Sequence, residues 1–290
     1  MISSRKWTYQ FFARRFSTLF KHFFLISIAL FSLAPLLWLI SIAFRPVEET
    51  YVIPMKLFPS TLTLENARLV IEMLPKLIMF YRNSFIITGS SVVLILLISS
   101  ISGYVFARMK FPGRDFIFWL VVISMFLPKS MSIPGLYEVL QKMRLIDTTT
   151  GLTLAYTGWF LSLSLYIMRN SFSAIPKDLE DAAVVDGCSP LRLYWQIMMP
   201  LVAPALVTVS ILSFVPIWGE YLYAFTFATT LKSMPMSIGI QLLKPSPASG
   251  EWTFSVASMA ILISFIPPLL IYFGLQRWFT KGLMEGALKF

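Results

Sequence analysis

The sequence IPKDLEDAAVVDGCSPLRLYWQIMMP at residues 175–200 is a polar interruption between two long apolar runs. Pro176 suits the first turn of a helix, and the acidic residues that follow it complement the positive end of the helix dipole. Gly187 can adopt the left-handed conformation that ends a helix, and Ser189 and Pro190 can begin a second one. The stretch therefore predicts two short helices that meet at a glycine.

The predicted hairpin carries apolar side chains among its charges. They are Leu179, Ala182, Ala183, Leu191, Tyr194 and Trp195. A polar segment between two membrane-spanning runs lies outside the bilayer, so these side chains are available to pack against a soluble partner. We expect the hairpin to be a docking element.

The composition predicts an integral membrane protein. Of the 290 residues, 57% are hydrophobic and only 13% are charged, and the mean hydropathy is +0.75. A helix of about 20 apolar residues crosses a bilayer core of about 30 Å. The chain has six such runs, at 23–44, 83–107, 116–135, 151–171, 201–226 and 256–277. We therefore expect an all-α fold with six transmembrane helices.

Charges between the runs predict the topology. The apolar run after the basic residues 1–22 is too long for a signal-peptide core, so we expect it to be retained as the first span. Six spans place both termini on one side, and the density of Lys and Arg predicts that this side is cytoplasmic. The predicted cytoplasmic segments are 1–22, 108–115, 170–200 and 278–290. The predicted outer segments are 45–82 with a short helix near 63–73, 136–150, and 227–255 without a long helical period.

Several classes of chemistry are excluded by what the sequence offers. The net charge of +10 comes from Lys and Arg that fall between apolar runs, so it is a topology signal and indicates no nucleic-acid partner. His22 and Cys188 are single residues of their kinds, so no disulfide, metal centre or catalytic set is expected. The sequence has no GxxxxGK[ST] phosphate-binding loop, so ATP-driven transport would need an ATPase partner.

The hairpin resembles the signature loop of type I ABC importer permeases, which have a MetI-like fold. The matching residues are Glu180, Asp181, Ala182, Ala183, Asp186, Gly187 and Pro200, with Cys188 at the position of the family's usual small residue. In that family the loop is a cytoplasmic helix that couples the permease to its ATPase. The resemblance assigns ATPase coupling to Glu180, Ala182, Ala183, Asp186, Gly187, Leu191 and Trp195.

Further stretches are similar to sugar permeases of the maltose type. They are residues 57–66, Asn83-Ser84, the box Trp218-Gly219-Glu220-Tyr221, and the tail 276–289, which is similar to that of the shorter permease subunit in this family. The resemblance implies that Gly282, Gly286 and Lys289 of the tail contact the ATPase.

The same resemblance implies an importer of di- or oligosaccharides in the bacterial inner membrane, with this chain forming half of the translocation pathway. The expected partners are a second homologous permease, two ATPase subunits that bind ATP and Mg²⁺, an extracytoplasmic sugar-binding protein and membrane lipid. No cofactor is expected in this chain. The expected organisation is a cytoplasmic segment 1–22, a first helix and outer loop 23–79, a transmembrane domain 80–277 with the coupling loop 175–200, and a cytoplasmic tail 278–290.

Glu220 is the one acidic residue well within a predicted span. An intramembrane carboxylate is costly unless it faces a cavity or a partner, so Glu220 either lines the substrate pathway or pairs with a Lys or Arg. Trp218 and Tyr221 beside it either stack on sugar rings or belong to the aromatic belt at the membrane surface.

Two other classes of function compete with this interpretation. An ion-coupled secondary transporter would need intramembrane acids in paired half-spans and usually an inverted repeat, whereas the chain offers Glu220 and no duplication. A membrane enzyme would need a cluster of nucleophile, base or metal ligands. Because neither class requires the hairpin, the ABC importer permease is the favoured interpretation.

Overall fold

The computed structural model describes residues 3–50, 58–242 and 254–287. Within these ranges, all regular secondary structure is helical. The chain divides into two compact units, Met1–Glu72 with Pro245–Ile263 and Met73–Lys244 with Ser264–Phe290. In chain order the α-helices are α1 (Ser3–Ala43), α2 (Glu65–Glu72), α3 (Leu74–Arg108), α4 (Arg114–Ile123), α5 (Lys129–Lys142), α6 (Thr149–Ser173), α7 (Lys177–Val185), α8 (Pro190–Arg192), α9 (Met199–Leu201), α10 (Ala203–Trp218), α11 (Leu222–Phe227), α12 (Met236–Gly239), α13 (Phe254–Ser264) and α14 (Ile266–Ala287).

Helix α1 contains the first predicted span but begins at residue 3 rather than 23. No glycine or proline lies between Ser3 and Pro35, so the sequence has no helix breaker that would delay the start of α1 to residue 23. Its apolar part, Thr18–Ala43, has a mean hydropathy of 2.5, and the side chains of residues 18–37 are all exposed in the isolated chain. A helix satisfies its own backbone hydrogen bonds, so α1 can cross a bilayer without a neighbour from this chain.

The short helix predicted near 63–73 is confirmed as α2. Its residue Asn66 is fully buried, and the side-chain amide donates hydrogen bonds of 2.8 Å to the carbonyl oxygens of Ala43 and Arg45. The last carbonyls of a helix lack intrahelical donors. Asn66 therefore satisfies the end of α1, which gives the 57–66 stretch a structural role.

Helices α3 and α6 form the centre of the second unit and pack along much of their length. At Gly103 the backbones approach so closely that an added Cβ would lie 2.6 Å from the Cβ of Met168. Small residues permit this approach between transmembrane helices. The surrounding core includes Tyr156, Met168 and Phe172, each no more than 1% exposed.

The third predicted span, 116–135, is broken. It consists of Arg114–Phe126 and Lys129–Lys142, which are bent by 110°. Leu127 has an extended backbone with ψ of 133°, in keeping with the restriction that a proline places on the preceding residue. The predicted span at 116–135 is therefore formed by a bent pair of helices.

The fifth predicted span, 201–226, is also broken. The segments Pro190–Leu201 and Ala203–Trp218 are bent by 71°, and prolines at positions 200 and 204 remove backbone donors around this bend. A second interruption at residues 219–221 separates α10 from α11. The predicted span at 201–226 therefore contains two helices, α10 and α11.

Four single helices are long and apolar enough to cross a membrane, and each bent pair adds one span. The single helices are Thr18–Ala43, Pro75–Arg108, Thr149–Ser173 and Phe254–Arg277. With the two bent pairs, the described residues provide up to six spans. The predicted all-α fold with six transmembrane segments is confirmed.

Candidate functional site

The hairpin predicted at residues 175–200 forms as a helix, a glycine turn and a second helix. Helix α7 ends where the amides of Gly187 and Cys188 donate to the carbonyls of Val184 and Ala183, at 3.0 and 2.9 Å. Gly187 has φ of +78°, and no atom lies within 4 Å of the place a Cβ would take. The turn therefore requires glycine for its backbone conformation and not for lack of space.

Two details of the predicted caps differ. Pro176 lies just before α7, with ψ of 138°, rather than in its first turn. Ser189 does occupy the position before α8, but its side chain makes no capping hydrogen bond. The second helix then continues through a π-helical segment, Leu193–Met198, which the sequence analysis missed. Such π-helical turns are frequent at functional sites.

The apolar side chains of the hairpin form a buried set and an exposed set, and the exposed set is here called the outer face. Ala183 and Tyr194 are buried, each 7% exposed, so they pack within the chain. The outer face exposes the remaining large apolar side chains and two valines that the sequence analysis did not single out. It consists of Leu179, Val184, Val185, Leu191 and Trp195, which are 47 to 85% exposed.

Glu180 points toward the body of the chain. Its Oε1 lies 2.6 Å from the Nε of Arg108, the last residue of α3, and the two side chains are only 16% and 7% exposed. The Arg108 guanidinium also donates a 2.6 Å hydrogen bond to the carbonyl of Ile175, just before α7. The other predicted coupling residues, Ala182, Asp186 and Gly187, are exposed.

A second candidate site surrounds Glu220, at the interruption between α10 and α11. The carboxylate accepts hydrogen bonds from the backbone amides of residues 222, 223 and 224, at 3.0 to 3.2 Å. It thereby caps the N-terminus of α11. The Nζ of Lys129 lies 2.5 Å from Oε1, and the hydroxyl of Tyr156 donates to Oε2 at 2.7 Å.

Lys129 completes the site from the first residue of α5. Its Nζ lies 4.2 Å from the ring centroid of Tyr223, a distance that allows a cation–π interaction. Of the two readings left open for Glu220, the structure shows the pairing with a lysine. The sequence analysis missed Lys129, although a lysine within the run 116–135 was itself a signal that an acidic partner lies elsewhere in the bundle.

The aromatic neighbours of Glu220 differ from each other. Trp218 is 6% exposed, stacks on Phe214 at 5.7 Å between ring centroids, and donates from Nε1 to the carbonyl of Ser264. Tyr221 is 41% exposed and stacks on Phe225 at 5.5 Å. Trp218 is thus a packing residue within this chain, whereas Tyr221 presents a ring to its surroundings.

Asp147 lies just before α6, at the end of that helix that is opposite the hairpin. It was not singled out from the sequence. Its Oδ1 accepts from the amides of Thr229 and Thr230, both at 2.8 Å, and from the hydroxyl of Ser233 at 2.5 Å. Partial burial opposes ionisation, but these hydrogen bonds prevail and lower the pKa of Asp147 to about 2. Asp147 therefore ties the α5–α6 loop to the segment after α11.

Asn83 and Ser84 hold the same segment from α3. The Asn83 amide donates to the carbonyls of Lys232 and Met234 at 3.0 and 2.9 Å, and the Ser84 hydroxyl accepts from the amide of Met236 at 2.7 Å. This pair, noted in the sequence for its resemblance to sugar permeases, thus anchors the loop between α11 and α12.

The remaining predictions concern the C-terminal tail and metal ligands. Gly282 and Gly286 of the predicted tail lie within α14, and Lys289 lies outside the described residues. Within the described ranges, no group of three His, Cys, Asp or Glu residues could hold a metal ion.

The bent spans and the ion pair that joins two of them are features of a multi-span membrane protein. The chain belongs to the family described as "Binding-protein-dependent transport system inner membrane component", whose model matches residues 95–285. This family comprises permease subunits of ABC importers, in which the ATPase is a separate subunit, and it places the chain in the inner membrane. The predicted family and the role of permease are confirmed.

Individual relatives match most of the chain. The trehalose/maltose transport system permease protein MalG of Thermococcus litoralis is 31% identical over 91% of this chain and 94% of its own length. The sn-glycerol-3-phosphate transport system permease protein UgpE of Salmonella choleraesuis is 29% identical over 94% and 98%. The osmoprotective compounds uptake permease protein GgtD of Synechocystis is 34% identical over 72% and 70%.

Solved structures confirm the fold. A chain of a bacterial ABC transporter involved in the import of the acidic polysaccharide alginate matches with a TM-score of 0.79 at 20% identity, over 92% of this chain and 98% of that chain. A chain of the MetNI methionine ABC transporter in an inward-facing conformation matches with a TM-score of 0.55 at 16% identity, over 73% and 98%. The predicted MetI-like fold is therefore confirmed.

Proposed function

We propose that this chain is one of two homologous permease subunits of an ATP-driven importer of di- or oligosaccharides. The family assignment supports the transport role, and the relative named for trehalose and maltose supports a sugar substrate. The family is that of ABC importers, so the alternative of an ion-coupled secondary transporter is not retained.

The assembly that we propose contains this permease, its homologous partner, two ATPase subunits that bind ATP and Mg²⁺, and an extracytoplasmic sugar-binding protein. Both termini and the hairpin face the cytoplasm, and residues 278–290 extend toward the ATPase. The hairpin and the loop clamped by Asp147 lie at opposite ends of α6, whose residues Thr149 and Ser173 mark its two termini. In this arrangement the hairpin end faces the ATPase, and the Asp147 end faces the binding protein.

The observation that carries the proposal is the outer face of the hairpin. Five large apolar side chains are exposed on a segment that also carries charged residues and that connects two membrane spans. Exposed apolar clusters rimmed by polar residues mark protein–protein contacts. Docking of the ATPase on this face would bury it.

The pathway that we propose is lined by Tyr221 rather than by the charged pair beside it. Lys129 and Glu220 neutralise each other, and Glu220 is 9% exposed, so the pair offers no free charge to a substrate. The exposed ring of Tyr221 can stack on a sugar ring. Trp218 and Glu220 hold the interruption that presents this ring.

The proposal is tested by Leu191→Asp in the complete transporter, isolated through a tag on this chain. Leu191 is 70% exposed on the outer face, so the substitution should leave the fold intact and place a charge in the docking surface. We expect less ATPase to copurify, and less stimulation of ATP hydrolysis by the binding protein after reconstitution in proteoliposomes.

The matched control is Leu62→Asp, since Leu62 is 79% exposed and lies in the predicted outer loop. This variant should retain the full complement of ATPase. A normal yield of ATPase with Leu191→Asp, or an equal loss with both variants, would contradict the assignment of the hairpin as the docking element.

A further inference from the structure

Three residues of α3, spaced four apart, contact the hairpin. They are Ser100, Tyr104 and Arg108, and residues separated by four lie on one face of a helix. The hydroxyl of Tyr194 donates to Ser100 at 2.9 Å, and the ring of Tyr104 lies 5.3 Å from that of Tyr194 between centroids. Arg108 binds Glu180. Both helices of the hairpin are therefore attached to one stripe of α3.

We propose that Glu180 acts in coupling through Arg108 and not by touching the ATPase, which makes Arg108 a positioning residue and α3 the element that receives the movement of the hairpin. This inference rests on the proposed function. It assigns the ATPase contact to the outer face, and it gives Glu180 the separate task of fixing the orientation of α7 on the end of α3.

The first argument is the burial of the pair. Glu180 and Arg108 are 16% and 7% exposed although no partner protein covers the hairpin. If Glu180 turned toward a partner, it would leave the Arg108 guanidinium without its counter-ion in a nearly buried position, which is strongly unfavourable. Its neighbour Asp181 is exposed.

The second argument is that Arg108 holds two points of the hairpin at once. Its guanidinium binds the Glu180 carboxylate in α7 and the carbonyl of Ile175 in the turn before it. The Arg108–Glu180 contact is an ion pair without hydrogen-bond geometry at Nε, whereas Nη2 donates a directed hydrogen bond to the carbonyl of Ile175. Arg108 thus holds the start of α7 by a hydrogen bond on one side and by charge on the other.

Helix α3 also makes contacts at its end remote from Arg108. Asn83 and Ser84, near its other end, hold the segment between α11 and α12. The helix also lies close against α6 at Gly103. A displacement of the hairpin that is passed to Arg108 therefore reaches both ends of the bundle through one continuous helix, without passing through the bends in spans three and five.

A charge exchange tests the inference in the complete transporter reconstituted with its binding protein. Glu180→Arg and Arg108→Glu should each reduce the binding-protein-stimulated ATP hydrolysis and the transport per ATP by about tenfold or more, because each leaves two like charges in contact. The double variant should recover both quantities. Glu72→Arg is the matched control, since it reverses a charge on an exposed side chain of α2 outside the hairpin, and it should leave transport per ATP unchanged.

A neutral cycle covers the case in which a reversed charge prevents folding. Glu180→Gln, Arg108→Gln and the double variant should show non-additive losses, with the double variant no worse than either single one, because both remove the same contact. The amount of assembled complex is measured for each. Additive losses, or an exchange variant that fails to recover while its complex assembles, would overturn the role of Arg108.

The wild-type complex separates this inference from the proposed function. If the wild type lacks ATPase or shows no stimulation by the binding protein, the proposed function fails and the inference fails with it. If the wild type is stimulated and the cycle is additive, the importer remains and Glu180 instead contacts another subunit.

Discussion

The hairpin and the interruption at Glu220 are both places where helical structure stops, yet they satisfy opposite demands. At the hairpin, Gly187 ends α7 by its backbone conformation, and apolar side chains are left exposed. At the interruption, Glu220 accepts from three consecutive amides and is itself neutralised by Lys129. The turn of the hairpin depends on a backbone conformation, whereas the interruption at Glu220 depends on a side chain that binds three amides and a cation.

This difference follows from the two solvents. Water can satisfy the ends of α7 and α8, so the hairpin needs only a residue that permits the turn. In the bilayer, unpaired backbone groups cost several kcal/mol each, so a broken span needs a side chain that replaces the missing bonds. The comparison predicts that substitutions at the two sites differ in size and in the property that they affect.

The largest effect is expected from Glu220→Ala. The substitution leaves the Lys129 ammonium buried without a counter-ion and three amides of α11 without an acceptor, so we expect a loss of about 3–5 kcal/mol in the free energy of unfolding. The measurement is thermal unfolding and monodisperse yield of the purified chain in detergent.

Two further variants show which interaction of Glu220 accounts for the loss of stability. The exposed carboxylate of Asp181 provides a control, since Asp181→Ala should change stability by less than about 0.5 kcal/mol. Addition of Lys129→Met to Glu220→Ala should recover part of the loss, because the unpaired cation is then removed. No recovery would show that the amides, rather than the ion pair, dominate the site.

A smaller effect is expected from Gly187→Ala. Alanine at φ of +78° is strained by about 1–2 kcal/mol, and relief of this strain would change the angle between α7 and α8. We expect copurification of the ATPase to fall more than the unfolding temperature does. The control is Gly158→Ala, because Gly158 is helical and nothing lies within 4 Å of its added Cβ. Equal behaviour of the two variants would contradict the conclusion that position 187 requires glycine whereas position 158 tolerates alanine.

The smallest effect is expected from Asp147→Asn, and it depends on pH. The pKa of Asp147 is lowered to about 2 in the folded chain, so its contribution is present above the unfolded pKa near 4 and is lost as the pH falls toward 2. After allowance for solvent screening, we expect this contribution to be about 1 kcal/mol or less.

The readout is the difference in unfolding temperature between wild type and Asp147→Asn, measured from pH 6 downward. The difference should shrink as the pH falls from about 4 toward 2, because the Asp147 carboxylate takes up its proton first in the unfolded chain and only near pH 2 in the folded chain. A constant difference across this range would mean that the shape of the side chain matters and its charge does not.

The sequence predicted the spans and the hairpin because both depend on local patterns. Hydropathy over about 20 residues locates a span, and a glycine between two capping signals locates the turn at Gly187. The 110° bend after Leu127 was not predictable in the same way. Pro128 permits a break, but the angle is stabilised by the contact of Lys129 with Glu220, which lies far along the chain.

The faces of the hairpin show the same limit. The motif identified the residues of α7, but which of them turn inward depends on α3. Glu180 was predicted as an ATPase-coupling residue. It is largely buried because its carboxylate contacts Arg108, which lies at the end of a different span. Val184 and Val185, which were not singled out from the sequence, are 60% and 85% exposed. The ATPase contacts of the individual residues stay a prediction.

The anchoring of α3 at both ends has a consequence for how the length of this helix can change between related chains. Ser84 and Ser100 each have a fixed contact direction, and one inserted residue between them would rotate one contact by about 100° relative to the other. An insertion of seven residues would nearly restore the direction but would lengthen the helix by about 10 Å. Related permeases that use both contacts should therefore vary in loop length, while the spacing between these two positions stays constant.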